Sequence, residues 1–204
     1  MLLKIVQAGD PVLRTPARPL TAAELESREV AALVALMRDT MRDAPGVGLA
    51  APQIGESLQL AVIEVRAEYL NRLPPEEIAA REMAPVAFHV IANPVLEVVD
   101  PEWLSFPEGC LSLPGFGARV ARARAVRVRA LNERGAPVEI HARGWYARIL
   151  QHEIDHLRGA LYIDRMDARS FATRENAERY GTSASASNAH ESSQEPGGGE
   201  DDGE

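Results

Sequence analysis

Cysteine is almost absent from this chain, because Cys110 is the only one in 204 residues. A single cysteine excludes an intrachain disulfide and is typical of a protein from a reducing compartment. Long apolar runs are missing too, since none approaches the roughly 20 residues that are needed to cross a bilayer. Pro11 follows the N-terminus too closely for a signal-peptide core, and no Arg- and Ser-rich transit pattern precedes it. We therefore expect a soluble intracellular protein with no membrane role.

Basic residues are lacking from the stretch 181–204, which we call the tail. The tail holds six acids and no Lys or Arg, so most of the formal charge of −8 belongs to it and the rest carries about −2. The body then offers no strong field for polyanions, and a direct nucleic-acid role is not expected. The small, polar composition predicts a disordered acidic tail after one domain over 1–180.

Two helices are predicted near the two ends of this domain. Thr21 and Glu24 form a capping-box pattern, and apolar residues then recur at helical spacing to about Met41. A second helix is expected over 144–158, closed by Gly159.

The stretch between the helices has the pattern of strands. Apolar runs at 58–65, 86–91 and 95–99 predict buried strands, with a break at Asn93-Pro94 between the last two. Residues 123–131 alternate Arg with apolar residues, and 138–141 is expected to return antiparallel after a turn. The polar stretch 66–85 is interpreted as a surface excursion with a short helix. This order favours an α+β fold with mostly antiparallel sheet.

The second helix carries the sequence H-E-x-x-H from His152 to His156. Spacing of four places both imidazoles on one helix face, where they can bind one metal ion. Glu153 is then close enough to act on a water at the metal without being a ligand. The alternative is a polar helix whose histidines are solvated or hydrogen-bonded.

Two further segments supply candidate partners for this helix. A hydrolytic metal needs a third protein ligand, and Cys110 lies in the Gly- and Pro-bracketed sequence EGCLSLPG. The alternative is a buried small apolar residue. The segment GVGLAAPQIG, residues 46–55, is interpreted either as a tight packed connection or as the wall of a cleft, in which Gln53 donates a hydrogen bond to a substrate oxygen.

The segments GVGLAAPQIG, EGCLSLPG and QHEIDHLRG, in that order, resemble the three signature motifs of the peptide deformylases. Weaker similarity runs from about Val6 to Asp167 and does not include the tail. Many bacterial members carry an arginine near the position of Gly117, and this stretch is closer to the branch that includes organelle enzymes. The resemblance implies antiparallel β-sheets around a central metal-binding H-E-x-x-H helix.

The resemblance also implies an activity, the removal of the N-terminal formyl group from formyl-methionyl peptides and nascent chains, with release of formate. Cys110, His152 and His156 are the implied metal ligands, and water occupies the fourth position. The metal makes hydroxide available for attack on the formyl carbon, while Glu153 acts as general base and then as general acid. The backbone N–H of Leu111 and the amide of Gln53 are implied to stabilise the oxyanion.

The same resemblance predicts the substrate-binding residues and the identity of the metal. Gly46, Val47, Gly48, Glu108 and Gly109 are the expected substrate-binding residues, with Val47 beside Leu111 as walls of the methionine pocket. Glu108 is expected either to orient the metal loop or to bind the peptide backbone, and Asp155 to orient a neighbour or to be solvated. The family implies Fe²⁺, although a thiolate with two imidazoles also suits Zn²⁺, Ni²⁺ or Co²⁺. A bacterial-type cytoplasm and contact with the ribosome are further expectations.

Two other functions compete with this hypothesis. A zinc endopeptidase also uses H-E-x-x-H, but it normally has a third His or Glu in place of a thiolate. A non-enzymatic module that keeps the metal for stability would normally close the site with four protein ligands.

Overall fold

The computed structural model describes residues 2–180, so the predicted disorder of the tail at 181–204 lies outside the described residues. The helices in this range are α1 (Ala22–Leu25), α2 (Arg28–Asp43), α3 (Ala67–Leu70), α4 (Pro75–Ala80), α5 (Gly144–Leu157) and α6 (Arg174–Tyr180). The strands are β1 (Gly48–Ala50), β2 (Leu60–Val65), β3 (Val86–Cys110), β4 (Leu113–Leu131), β5 (Pro137–Arg143) and β6 (Ala172–Thr173). None of the helices within 2–180 has the length and apolarity that a bilayer crossing requires.

The strands form an antiparallel sheet in the order β1-β2-β3-β4-β5, and β6 pairs separately with β4. Alternate residues of β2 explain why this sheet can be covered on both faces. Ala61, Ile63 and Val65 pack in one apolar cluster together with α5, whereas Leu60 and Val62 pack in a second cluster together with α2. The α+β fold with a helix that carries H-E-x-x-H against the sheet is therefore confirmed.

The N-terminal helix prediction was partly wrong. The capping box of Thr21 and Glu24 is present, but it opens only the four-residue helix α1. Ser27 then accepts a hydrogen bond from the Val30 N–H and caps α2 as a separate helix. The capping pattern identified a true helix start, and a second cap six residues later interrupts the helical run.

The predicted break at Asn93-Pro94 was also wrong, because β3 continues through it. Asn93 has a positive φ of 49°, and the register between β3 and β4 shifts between Ala92 and Val95. The Asn93 side chain exchanges two hydrogen bonds of 2.8 Å with the backbone of Leu20. The asparagine thus forms a bulge within one strand, since its amide can stabilise a conformation that most residues avoid.

The excursion at 66–85 contains two short helices, α3 and α4, where one was expected. The predicted helix over 144–158 matches α5 to within one residue, and Gly159 follows it with a φ of 76°. A Cβ atom at Gly159 would lie 2.8 Å from the Arg14 carbonyl oxygen, so glycine is also required by close packing.

Candidate metal centre and cleft

The end of β3 meets one face of α5, and this meeting brings the three predicted metal ligands together. The Cys110 sulfur and one nitrogen each from His152 and His156 lie within 4.8 Å of one another. The Cys110 Sγ is 3.3 Å from the His156 Nε2, and the two imidazole rings are 5.0 Å apart at an angle of 78°. One thiol and two imidazoles at this separation fit a single divalent transition-metal ion.

Gln53 lies directly beside this group of ligands. Its Nε2 is 3.4 Å from the Cys110 Sγ and 3.4 Å from the Ser112 Oγ. Its Oε1 accepts a hydrogen bond of 2.9 Å from the Ala50 N–H. Because the Ala50 N–H holds the Oε1 end of the amide, the NH₂ end of Gln53 is directed to the group of ligands. Leu111, the next residue after Cys110, lines the same cleft.

Glu153 is buried next to His152, and no cation within residues 2–180 is in hydrogen-bond contact with its carboxyl group. Its Oε2 has no hydrogen-bond partner among the described residues. Burial raises the pKa of Glu153 to about 7. Gly48 makes room for it, because a Cβ atom there would lie 2.2 Å from the Glu153 Oε1. A carboxyl group with a pKa near neutrality can both accept and return a proton.

Glu108 has the opposite surroundings. It accepts hydrogen bonds from the His152 Nδ1 at 3.0 Å, from Arg122 at 3.0 Å through two nitrogens, and from Arg148 at 2.6 Å. Burial alone would raise its pKa, but the hydrogen bonds from His152 and Arg122 hold the pKa of Glu108 well below its usual range. The carboxylate therefore fixes the ring of His152 with the other nitrogen free for the metal, which favours the orienting role.

Asp155 belongs to the same charged network, so of its two alternatives, to orient a neighbour or to be solvated, the solvated one was wrong. It is only 4% exposed, and it pairs with Arg122 and with Arg165, the latter at 2.8 Å. None of the arginines in this network was predicted as a site residue. Arg122 lies within an alternating Arg/apolar strand, where the pattern did not show that this arginine is directed inward.

A cleft of about 840 Å³ opens in front of the ligands. All the predicted substrate-binding residues line it, namely Gly46, Val47, Gly48, Glu108 and Gly109. Trp145 and Arg174 line it as well, although neither was predicted as a site residue. Gly117 is also in the lining, and a Cβ atom there would lie 3.0 Å from the Glu108 carbonyl oxygen, so a larger residue would need this backbone to shift by a few tenths of an ångström.

Comparison with known proteins agrees with this geometry. The sequence pattern of the polypeptide deformylases matches residues 2–172. The chain belongs to this family. It is 49% identical over 174 residues to peptide deformylase 3 of Streptomyces avermitilis, covering 85% of this chain and 75% of that protein.

Two further relatives extend the comparison. The chain is 45% identical over 172 residues to the chloroplastic peptide deformylase 1A of Solanum lycopersicum, covering 84% of this chain and 62% of that protein. The crystal structure of an Acinetobacter baumannii peptide deformylase bound to Met-Ala-Ser superposes with a TM-score of 0.73 at 33% identity, covering 81% of this chain and 99% of that one. The chain thus spans less than two thirds of the length of the tomato enzyme.

Proposed function

We propose that this protein removes the N-terminal formyl group from formyl-methionyl peptides by metal-dependent hydrolysis. One observation carries the proposal: Cys110, His152 and His156 converge at the base of a cleft beside Glu153, a buried carboxyl group without a hydrogen-bond partner for one oxygen. A structural metal site has no use for such a carboxyl group, whereas a hydrolytic site requires one. Membership of the polypeptide deformylase family supports the substrate.

Cys110, His152 and His156 are the residues that would hold the metal. When bound, the metal acts as a Lewis acid and lowers the pKa of water to near neutrality. Fe²⁺ is the ion that we propose, with Zn²⁺, Ni²⁺ or Co²⁺ able to replace it in the purified protein, because the donor set suits all four.

Glu153 is the proposed general base and general acid. It takes a proton from the attacking water as the water oxygen bonds to the formyl carbon, and it returns that proton to the amine nitrogen as the carbon–nitrogen bond breaks. Formate and a free N-terminus are the products. The pKa of about 7 that burial gives Glu153 suits both directions of transfer.

Gln53 and Leu111 are the proposed donors to the formyl oxygen. The NH₂ group of Gln53 already faces the Cys110 sulfur at 3.4 Å, and its Oε1 is held by the Ala50 N–H. A donor that is fixed before the reaction stabilises the developing negative charge without a reorganisation cost. The backbone N–H of Leu111 would be the second donor.

The remaining predicted residues would bind the substrate. The backbones of Gly46, Val47, Gly48 and Gly109 line the cleft close to the ligands, and glycines allow a peptide backbone to approach closely. Val47 and Leu111 would be the apolar walls for the methionine side chain. Ribosome contact, a cytoplasmic location and a single catalytic domain over 1–180 remain predictions.

Formate release from formyl-Met-Ala-Ser, measured with anaerobically purified and iron-loaded protein, tests the proposal. Acetyl-Met-Ala-Ser and a long unformylated peptide serve as controls. We expect formate from the formyl peptide and no internal cleavage of the long one. Cleavage of the long peptide without formate would favour a zinc endopeptidase, and neither product from metal-loaded protein would favour a binding module.

A further inference from the structure

One part of the cleft lining comes from a segment just beyond the residues that match the family's sequence pattern. The match ends at residue 172, and α6 begins at Arg174. Strand β6 attaches this segment to β4 through the pairs Phe116↔Thr173 and Gly117↔Ala172. Because of this attachment, Arg174 and Ala177 of α6 lie in the lining of the cleft.

Arg174 lies against the backbone next to the proposed metal ligand Cys110. A Cβ atom at Gly109 would be only 2.7 Å from the Arg174 Nη2 and 3.6 Å from its Cζ. Gly109 itself lies at a bulge, since the β3–β4 register steps from Glu108↔Ala118 to Cys110↔Leu113. The guanidinium is therefore next to a stretch of β3 backbone that is not in regular register with β4.

Arg174 also differs in its charge balance from the arginines that pair with Glu108 and Asp155. Arg122, Arg148 and Arg165 each form an ion pair with Glu108 or Asp155. Within residues 2–180, no salt bridge and no hydrogen bond to the Arg174 side chain is formed, and its side chain is exposed to the cleft opening. Its donors are thus available to a ligand.

We propose that Arg174 binds the part of the substrate peptide that follows the formyl-methionine, through carbonyl or carboxylate oxygens of the peptide. This inference rests on the proposed deformylase function. With the formyl group at Cys110 and Glu153, a peptide that lies along Gly109 passes directly beneath the guanidinium. The planar guanidinium offers several donors and binds such oxygens in a fixed geometry.

The test compares Arg174→Ala and Arg174→Lys with the wild type on formyl-Met-Ala-Ser, as the free acid and as the C-terminal amide. Arg179→Ala is the matched control, because Arg179 is on the same helix, pairs with Glu175 and does not line the cleft. Binding of the product Met-Ala-Ser is measured by calorimetry on the same metal-loaded proteins, and thermal unfolding confirms that each variant is folded.

Arg174→Ala should raise KM about fivefold while kcat changes less than twofold, as expected for one exposed charged hydrogen bond. Arg174→Lys should retain part of the affinity, and Arg179→Ala should match the wild type. A larger loss on the free acid would assign the contact to the terminal carboxylate, and equal losses would assign it to a main-chain carbonyl. Both outcomes support the proposal.

KM values within the error of the wild type on both peptides would overturn the role of Arg174, and so would an equal loss in Arg179→Ala. The calorimetric readout separates this inference from the proposed function. Wild-type protein that binds Met-Ala-Ser but releases no formate would contradict the deformylase activity alone. Arg174 would still be supported if its replacement weakened that binding about fivefold, and it would be rejected if binding were unchanged.

Discussion

Glu108 and Glu153 are buried to a similar degree, with 7% and 4% of their surfaces exposed. Glu108 is surrounded by cations, and the hydrogen bonds from His152 and Arg122 outweigh burial and keep its pKa low. Glu153 has no cation in hydrogen-bond contact, and burial raises its pKa to about 7. The same residue type thus has two environments: the compensated carboxylate holds His152, a proposed metal ligand, in place, and the uncompensated one is suited to move protons.

The largest effect is expected from Glu108→Gln, which removes the negative charge that balances the buried arginines around Glu108. Arg122 and Arg148 would then be buried without full compensation, so the free energy of unfolding should fall by about 3–5 kcal/mol. Metal affinity should fall roughly 10–100-fold as His152 loses its negatively charged acceptor. Urea unfolding and a metal competition titration measure the two effects.

Glu97→Gln is the control for that experiment, because Glu97 is also on β3 and pairs with an arginine of β4. Its side chain is 51% exposed in the pair with Arg127, so its replacement should cost less than about 1 kcal/mol. If Glu97→Gln destabilises the protein as much as Glu108→Gln does, the large effect of Glu108→Gln is not due to the burial of its charged partners.

In the part of the site proposed to act on the substrate, Gln53→Ala should lower kcat. The expected loss of transition-state stabilisation is about 2.7–4 kcal/mol, the usual value for one oxyanion donor. The variant also leaves the Ala50 N–H without its acceptor, so its unfolding is measured in parallel. A variant that keeps wild-type kcat would remove Gln53 from the proposed reaction. A kcat loss explained by unfolded protein alone would assign it a structural role.

Gly48→Ala should reduce kcat by a smaller factor, about 10–100-fold, because the new methyl group displaces the Glu153 carboxylate from its position. The double variant Gly48→Ala with Glu153→Gln should be no slower than Glu153→Gln alone, since the displaced group is already inactive. If the two losses multiply instead, Gly48 acts on the substrate and not through Glu153.

The smallest effect is expected from Arg165→Ala, at the solvent-exposed end of the compensated network. Arg165 is 50% exposed, and Asp155 keeps its pair with Arg122 when Arg165 is removed. Unfolding free energy should change by less than about 1 kcal/mol. A loss of unfolding free energy as large as that of Glu108→Gln would mean that the buried charges of the network depend on Arg165 for their stability.

The sequence predicted the parts of the site that depend on local spacing. The helical period places His152 and His156 on one face, and the single cysteine left one thiol candidate for the third ligand. The fold class followed from the order of strands and helices. Resemblance to a known family assigned the three motifs to one site.

Contacts set by strand register could not be predicted in this way. Whether Arg122 reaches Glu108 depends on the pairing of β3 with β4, which several bulges shift. One of them is at Asn93, whose sequence context favours a turn and whose side-chain contact with Leu20 permits a continuous strand. Arg174 lies beyond all three motifs, so only the folded chain places it over Gly109.

The most direct test of the central claim measures metal content and formate release in the same anaerobic samples of wild-type and Glu153→Gln protein. Both should hold one iron per chain, because Glu153 is not among the proposed ligands. Only the wild type should release formate from formyl-Met-Ala-Ser at full rate, and the variant should be slower by about 10²–10⁴-fold. A variant that holds one metal per chain and keeps the wild-type rate would contradict the account.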